Sequence, residues 1–226
     1  MPATKQRAST EEVYAALRSD VLGGAFRPAE KLKFSPLCER YGASVSVIRE
    51  ALTRLAEQGL VEAEPRIGFR VRSLSLADLQ DLTATRIDLE TLAFRYSIER
   101  GDVEWESALV AAHHRLERTP MHEEGSTTLT DEWESAHAAF HIALLAGCAS
   151  PWLLGMTHTL RDAAEFYRRW SYTQQPGRDV AGEHRDILTA ALDRDADRAS
   201  DLLAQHYRHT AQIVEESLHT ESSQPS

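Results

Sequence analysis

Apolar residues recur at helical spacing over most of the chain. Val13, Leu17 and Val21 follow Ser9-Thr10-Glu11-Glu12, a capping box with Ser9 as N-cap and Glu12 three residues on, and together they predict a first helix to about Leu22. Gly23-Gly24 ends it, and Ala25 to Phe34, which contains Pro28, reads as a loop. A short second helix is predicted from Ser35-Pro36 to Tyr41, with Pro36 at the favoured N1 position and Gly42 as the stop. The third runs from about Ser44 to Gln58: Ile48, Leu52 and Leu55 form its buried face, Ser46, Arg49, Thr53 and Arg54 its other face, and Gly59 a C′ cap. The period then changes to two. Leu60 to Glu64 and Phe69 to Arg72 flank Pro65-Arg66-Ile67-Gly68, predicting a small hairpin with a basic tip.

Beyond Ser73 the pattern is helical throughout, with segments near 76–100, 103–118, 128–147, 150–172, 177–193 and 195–218 and no internal repeat. The predicted fold is mainly α. A winged helix-turn-helix module over 1–73 precedes an all-α helical bundle over 74–220, and 221–226 is a polar, frayed tail.

Composition adds a class and charge adds a division of labour. At 226 residues with 42% hydrophobic and 27% charged residues, the chain has an ordinary globular make-up with ample length for a packed core. Cys38 and Cys148 are too few for a disulfide framework and fit reduced thiols. The opening Met-Pro-Ala-Thr-Lys-Gln-Arg leads into no apolar run, and no later stretch approaches the ~18 apolar residues of a membrane helix, so the expectation is a cytoplasmic protein with no membrane partner. The formal net charge of -10 argues against a nucleic-acid partner for the chain as a whole. Residues 1–73, however, carry 12 Lys+Arg against 9 Asp+Glu, and the remainder 13 against 26. One module tolerates a polyanion and the other does not.

Helices followed by a two-stranded wing match the winged helix-turn-helix arrangement, whose later helix lies in the major groove of double-stranded DNA. Ser44, Ser46, Arg49 and Arg54 on the third helix can reach phosphates and base edges, and Arg66 at the wing tip can enter a minor groove. In the second module, His137 and His141 lie four apart and share a helix face, while His184 and His206 fall on later segments. Three helices can then converge four imidazoles on one cavity, a common way for bundles to hold a metal, whereas a histidine taken singly is more often an ordinary polar residue. Imidazole suits zinc, nickel, copper and iron, with zinc or nickel the first expectation. Trp105, Trp133, Trp152 and Trp170 sit at helical spacing and predict core or dimer packing rather than a ligand box.

Gly42 to Val61, with Arg49-Glu50-Ala51-Leu52 at its heart, and then Pro65 to Val71 resemble the GntR family of bacterial transcription regulators. That resemblance implies DNA contacts at Ser44, Ser46 and Arg49 on the helix and at Arg66 and Gly68 in the wing, with Lys33 and Ser35 at the entry to the second helix as weaker candidates. Val45 stands where family members commonly carry arginine, so a methyl contact can replace a bidentate contact to guanine. Residues 76–218 resemble the FCD ligand-binding domain of the FadR-type branch, whose motif places an acidic residue four positions before Phe-His and adds two later histidines. Here Phe140-His141, Glu183-His184, and Asp195 followed by His206 match it, and His137 takes the acidic position.

The resemblance implies a divalent metal at His137, His141, His184 and His206, a small carboxylate effector, and a homodimer. The exchange of an anionic for a neutral ligand leaves the site one charge more positive, favouring an anionic effector or a softer metal. Within the branch, His137 to Trp170 is similar to a glutarate-responsive group in which histidine at the acidic position is usual, so glutarate or a similar dicarboxylate is the implied effector. Arg86 matches a position where the family often keeps arginine, and Arg161, Tyr167 and Arg168 are further effector-binding candidates.

The result is an expected repressor rather than an enzyme. A metalloenzyme fused to a DNA-binding domain needs a general base beside the metal, and the sequence has no His-Glu-x-x-His arrangement. A closed, purely structural metal site with a different effector is the remaining alternative.

Overall fold

The computed structural model describes residues 8–22, 25–64, 66–122, 129–174 and 177–222, in two compact units, Met1–Leu74 and Ser75–Ser226. In the first unit α1 (Thr10–Leu22), α2 (Phe34–Tyr41) and α3 (Val45–Glu57) accompany strands β1 (Lys31–Leu32), β2 (Val61–Glu64) and β3 (Gly68–Val71). The capping box closes as expected: the Ser9 amide donates to Glu12 Oε2 at 2.8 Å, and the Glu12 amide to Ser9 Oγ at 3.3 Å. Val13, Leu17, Ile48, Leu52 and Leu55 are buried where α1 and α3 pack together. Gly59 takes φ +71°, a left-handed conformation that costs glycine little, and the Leu60 amide reaches back to the Leu55 carbonyl at 3.0 Å.

Two details differ from the pattern-based expectation. Part of the Ala25–Phe34 loop is strand: β1 pairs antiparallel with β3, giving a three-stranded sheet in the order β1-β3-β2. A two-residue strand has too little alternation to be read from sequence, because its pairing partner lies almost forty residues away. Helix α2 is N-capped by Lys33 and begins at Phe34, so Pro36 sits two residues inside its expected N1 position, where its missing N–H still costs no helical hydrogen bond. Gly23, Gly24 and Pro65, called as breakers, lie outside the described residues.

The second unit contains α4 (Leu76–Arg100), α5 (Val103–Arg118), α6 (Asp131–Leu145), a 3₁₀ turn at Ala146–Cys148, α7 (Pro151–Gln174), α8 (Val180–Leu192) and α9 (Ala196–Ser222). Side-chain caps start α4 to α6 and α8, at Ser75, Asp102, Thr130 and Asp179. Helix α4 packs on α9 and α7, α5 on α6, and α8 on α9. Phe94, Leu109, Phe140, Leu144, Ile187 and Leu203 lie fully buried in the core between them. The backbone of Glu221 and Ser222 is still helical, so α9 runs past the point where a frayed tail was expected.

Trp105 and Trp133 join the core, and Trp170 donates to Ser217 Oγ at 3.2 Å. Trp152 does not join the core: of the expected core or dimer packing only the latter remains open to it, as it is 84% exposed on the first turn of α7. Cys38 and Cys148 are free thiols, and among the described residues no helix is long and apolar enough to cross a membrane.

Two glycines give opposite expected outcomes. A Cβ on Gly147 would lie 3.0 Å from the Ser97 carbonyl oxygen and 3.2 Å from the Gly101 Cα, both backbone, whereas one on Gly155 within α7 would meet nothing within 4 Å. Gly155→Ala should therefore raise stability by about 0.5–1 kcal/mol through helix propensity. Gly147→Ala should lower it by about 1–3 kcal/mol through overpacking, both read from urea midpoints at unchanged slope.

Candidate functional site

Two sites carry chemistry, one exposed on the first unit and one buried in the second. On the first, Ser44 N-caps α3, its Oγ accepting from the Val47 amide at 3.4 Å and lying 2.9 Å from Ser46 Oγ. Val45, Ser46, Arg49 and Thr53 are exposed along one flank of α3, with the Arg49 guanidinium 4.6 Å above the Phe34 ring. An aromatic platform of this kind holds the cation without neutralising it. Val45, at the leading end of the helix, is 48% exposed and offers only methyl groups there.

Arg66 sits at the exposed wing tip with φ +67°, beside Ile67, which is 56% exposed, and Gly68 at φ +123°. Lys33 and Ser35 are exposed at the start of α2. Arg54 is placed differently from the other cations: it forms a two-pronged ion pair with Glu11 at 2.7 and 3.1 Å and lies 4.0 Å over the Tyr14 ring. A DNA phosphate reaching Arg54 would have to compete with that carboxylate.

In the second unit, α6, α8 and α9 bring His137, His141, His184 and His206 together, with one ligand nitrogen of each within 4.8 Å of the others. All four are at least 97% buried. The Nε2 atoms of His141 and His184 face each other at 3.4 Å, and neither ring nitrogen of His137 has a hydrogen-bond partner among the described residues. Burial, reinforced by the neighbouring imidazoles, pushes His137, His141 and His184 well below the ordinary histidine value. Burial brings His206 down to about 4, although its hydrogen bond to Glu183 works in the opposite direction.

The four rings are thus held uncharged and present convergent nitrogens, those of His137 without a hydrogen-bond partner among the described residues. These are the donors a divalent transition metal needs.

Supporting residues fix the rings. Glu183 Oε2 accepts from His206 Nδ1 at 2.7 Å, which leaves the His206 Nε2 lone pair available, and the Arg178 guanidinium holds the same carboxylate at 2.5 and 2.9 Å. Burial alone would raise the Glu183 carboxyl; the hydrogen bonds from His206 and Arg178 hold it far below the usual carboxylate range instead. Tyr207 donates to Glu90 Oε2 at 2.5 Å with its oxygen 3.4 Å from His141 Nδ1, and Glu90 in turn binds Arg86 Nε at 2.7 Å. The Arg86 guanidinium lies 4.0 Å over the Tyr207 ring. Trp133 stacks on His137 with centroids 4.9 Å apart and planes at 20°.

Of the effector candidates, Arg86 and Arg168 are buried and near enough for their charges to act on the histidines. Arg168 donates to Glu134 Oε2 at 2.7 Å; its Nε, Glu134 Oε1 and the hydroxyl of buried Tyr172 have no partner among the described residues. Tyr167 donates to Asp78 Oδ2 at 2.7 Å, and Arg161 is engaged on its own helix with His158 and Asp162. Asp195, matched to the family motif, caps α9 by accepting from the Arg198 amide at 3.0 Å.

Tyr207, Glu90, Glu134, Tyr172 and Arg178 were not named by sequence reasoning. The one available signal was Glu183, which immediately precedes a motif histidine.

Residues 9–71 match the model of the bacterial regulatory proteins of the gntR family, and residues 81–209 match the FCD domain. The chain belongs to the GntR family, in the FadR-type branch that carries an FCD domain, and is a DNA-binding transcription regulator rather than an enzyme. It is 36% identical over 222 residues to the HTH-type transcriptional regulator BphR of Paraburkholderia xenovorans, covering 95% of this chain and 88% of that protein. It is 35% identical over 210 residues to the HTH-type transcriptional repressor GlaR of Escherichia coli, covering 91% and 95%. Among solved structures, a GntR-type putative regulator from Rhodococcus shares the fold with a TM-score of 0.67 and 22% identity, covering 91% of this chain and 97% of that one. McbR/YncC of E. coli does so with a TM-score of 0.66 and 20% identity, covering 92% and 98%.

The carboxylate behind His206 gives a direct test of the centre. Glu183→Gln keeps the shape but removes the charge that orients Nδ1–H, and should weaken zinc binding by about 10–100-fold in competition with a chromophoric chelator. His141→Ala, which deletes a ligand, should weaken it further.

Proposed function

We propose that this regulator is a homodimeric, cytoplasmic repressor of a near-palindromic operator, and that a small dicarboxylate such as glutarate, bound at a metal held by His137, His141, His184 and His206, controls its affinity for DNA. The observation that carries the reading is a charge balance. Three arginines whose charges reach the rings are each already paired: Arg86 with Glu90, Arg168 with Glu134 and Arg178 with Glu183. Four neutral imidazoles inside three neutral pairs form a shell with no formal charge. A divalent ion held there by the four imidazoles would supply a twofold positive charge and Lewis acidity toward a carboxylate oxygen.

A dianion returns the buried site to neutrality, whereas a monoanion leaves one charge uncompensated in a dry interior. The unpartnered Arg168 Nε and Tyr172 hydroxyl are donors for the second carboxylate, and the charge of Arg86 also reaches His141. Partnerless polar atoms also count against a closed structural metal site, in which such donors would be satisfied by the chain itself. Relatedness to the GlaR repressor supports repression as the mode of action.

On the DNA side, Ser44, Ser46, Arg49 and Val45 form the base-reading edge of α3, and Arg66 and Gly68 the wing contact, with Lys33 and Ser35 flanking. Control follows from unequal affinity of the dicarboxylate for the DNA-binding and released states.

A thermal-shift panel with C4 to C6 dicarboxylates, each with and without prior chelation, tests the effector. At a hundred times the dissociation constant the matching acid adds about 2.7 kcal/mol, a rise of roughly 5–10 °C that disappears on chelation. No shift with any of these acids, together with a large loss of stability on chelation alone, overturns the carboxylate reading in favour of a structural metal. For the DNA side, selection from a random duplex library should enrich a near-palindrome. Arg49→Ala should then cost about 1–3 kcal/mol on that sequence while leaving the helical unit's thermal shift intact.

A further inference from the structure

A cavity abuts His184 and Trp133 in the helical unit. It is about 270 Å³ in volume and is lined by residues of α5, α6, α8 and the segment after α5, among them His113, Glu117, Met121, Trp133, Ala181 and His184. Its walls are mostly apolar, and among the described residues no lysine or arginine lines it. Its one charged lining group is Glu117, which Arg185 holds at 3.1 Å from outside. An anion gains nothing there, so the cavity is chemically unlike the surroundings of Arg86 and Arg168.

His113 gives the cavity its polarity. The side chain is 95% buried, makes an edge contact with Phe140 at 5.3 Å between centroids, and has an Nε2 with no hydrogen-bond partner among the described residues. Its other nitrogen, Nδ1, faces Glu117 Oε2 at 3.8 Å, beyond hydrogen-bond length, and the carboxylate's charge favours the tautomer with the proton on Nδ1 and an acceptor at Nε2. Burial holds the imidazole below its ordinary value and keeps it neutral. A buried acceptor without a donor costs on the order of 1–3 kcal/mol, and the helix register that places it beside a cavity gives a ligand the means to recover that cost.

We infer that this cleft is a second small-molecule site, which takes a neutral, mainly apolar compound of one-ring size whose hydroxyl or other O–H or N–H donor bonds His113 Nε2. An occupant rests against His184 and Trp133, and Trp133 in turn stacks on His137, so the cleft abuts the backing of two of the four clustered histidines. It constitutes a ligand input separate from the dicarboxylate position and does not depend on which acid, if any, binds there.

The test is calorimetric titration of the full chain with phenol, anisole and benzoate, phenol alone combining a neutral ring with an O–H donor. Phenol should bind with one site per chain, anisole about tenfold more weakly for want of the donor, and benzoate not at all. Ala181→Trp, at an exposed position on the rim, should abolish phenol binding. His113→Phe should bring phenol to the level of anisole, with zinc affinity unchanged within about twofold in both variants. Phenol should still bind to protein saturated with a dicarboxylate that gives a thermal shift, and its binding stands by itself should no dicarboxylate give one. Absence of phenol binding at millimolar concentration, full binding in a folded Ala181→Trp variant, or displacement of phenol by a saturating dicarboxylate would each overturn the assignment.

Discussion

Burying four imidazoles with their lone pairs facing one another is the constraint around which the helical unit is organised. Each ring nitrogen that leaves water needs a partner, and His137 has none among the described residues. The chain meets the cost in two ways. It keeps the rings uncharged by depth, and it hands the outward nitrogens of His206 and His141 to Glu183 and Tyr207. These partners bring their own countercharges, Arg178 behind Glu183 and Arg86 behind Glu90, so the polar interior is built outward from the cluster in charge-compensated layers.

This layering makes α4 and α9 more than scaffolding. Arg86 and Glu90 are one turn apart on α4, and Tyr207 on α9 inserts its ring beneath the guanidinium and its hydroxyl between Glu90 and His141. The packing of the two helices is thus bound up with the orientation of a histidine. A change of net charge among the four rings is felt directly by Glu183, which accepts from His206.

What the sequence made legible follows from range. Local signals were readable: the Ser9–Glu12 box, Ser44 as N-cap, Gly59 at the end of α3, and the i, i+4 pair His137 and His141 are set by residues within a turn of one another. The convergence of His184 and His206 on that pair was legible only as a possibility of a bundle, and by resemblance. The second layer was hidden for the same reason that β1 was. Tyr207 and Glu90 are 117 positions apart, and Arg178 lies outside any helix, so no periodicity marks it. Asp195 shows the converse hazard: a motif position can serve simply as a helix cap, and side-chain type alone does not separate the two roles.

The close approach at Gly147 also has a mechanical meaning. A Cβ at Gly147 would come 3.0 Å from the Ser97 carbonyl oxygen and 3.2 Å from the Gly101 Cα, so the 3₁₀ turn is packed closely on the C-terminal end of α4 and resists its sliding there. An occupant that displaces Arg86, about 16 Å back along the helix, must therefore tilt α4 about that contact. Leverage then grows toward Leu76, so a glycine acts as a fulcrum.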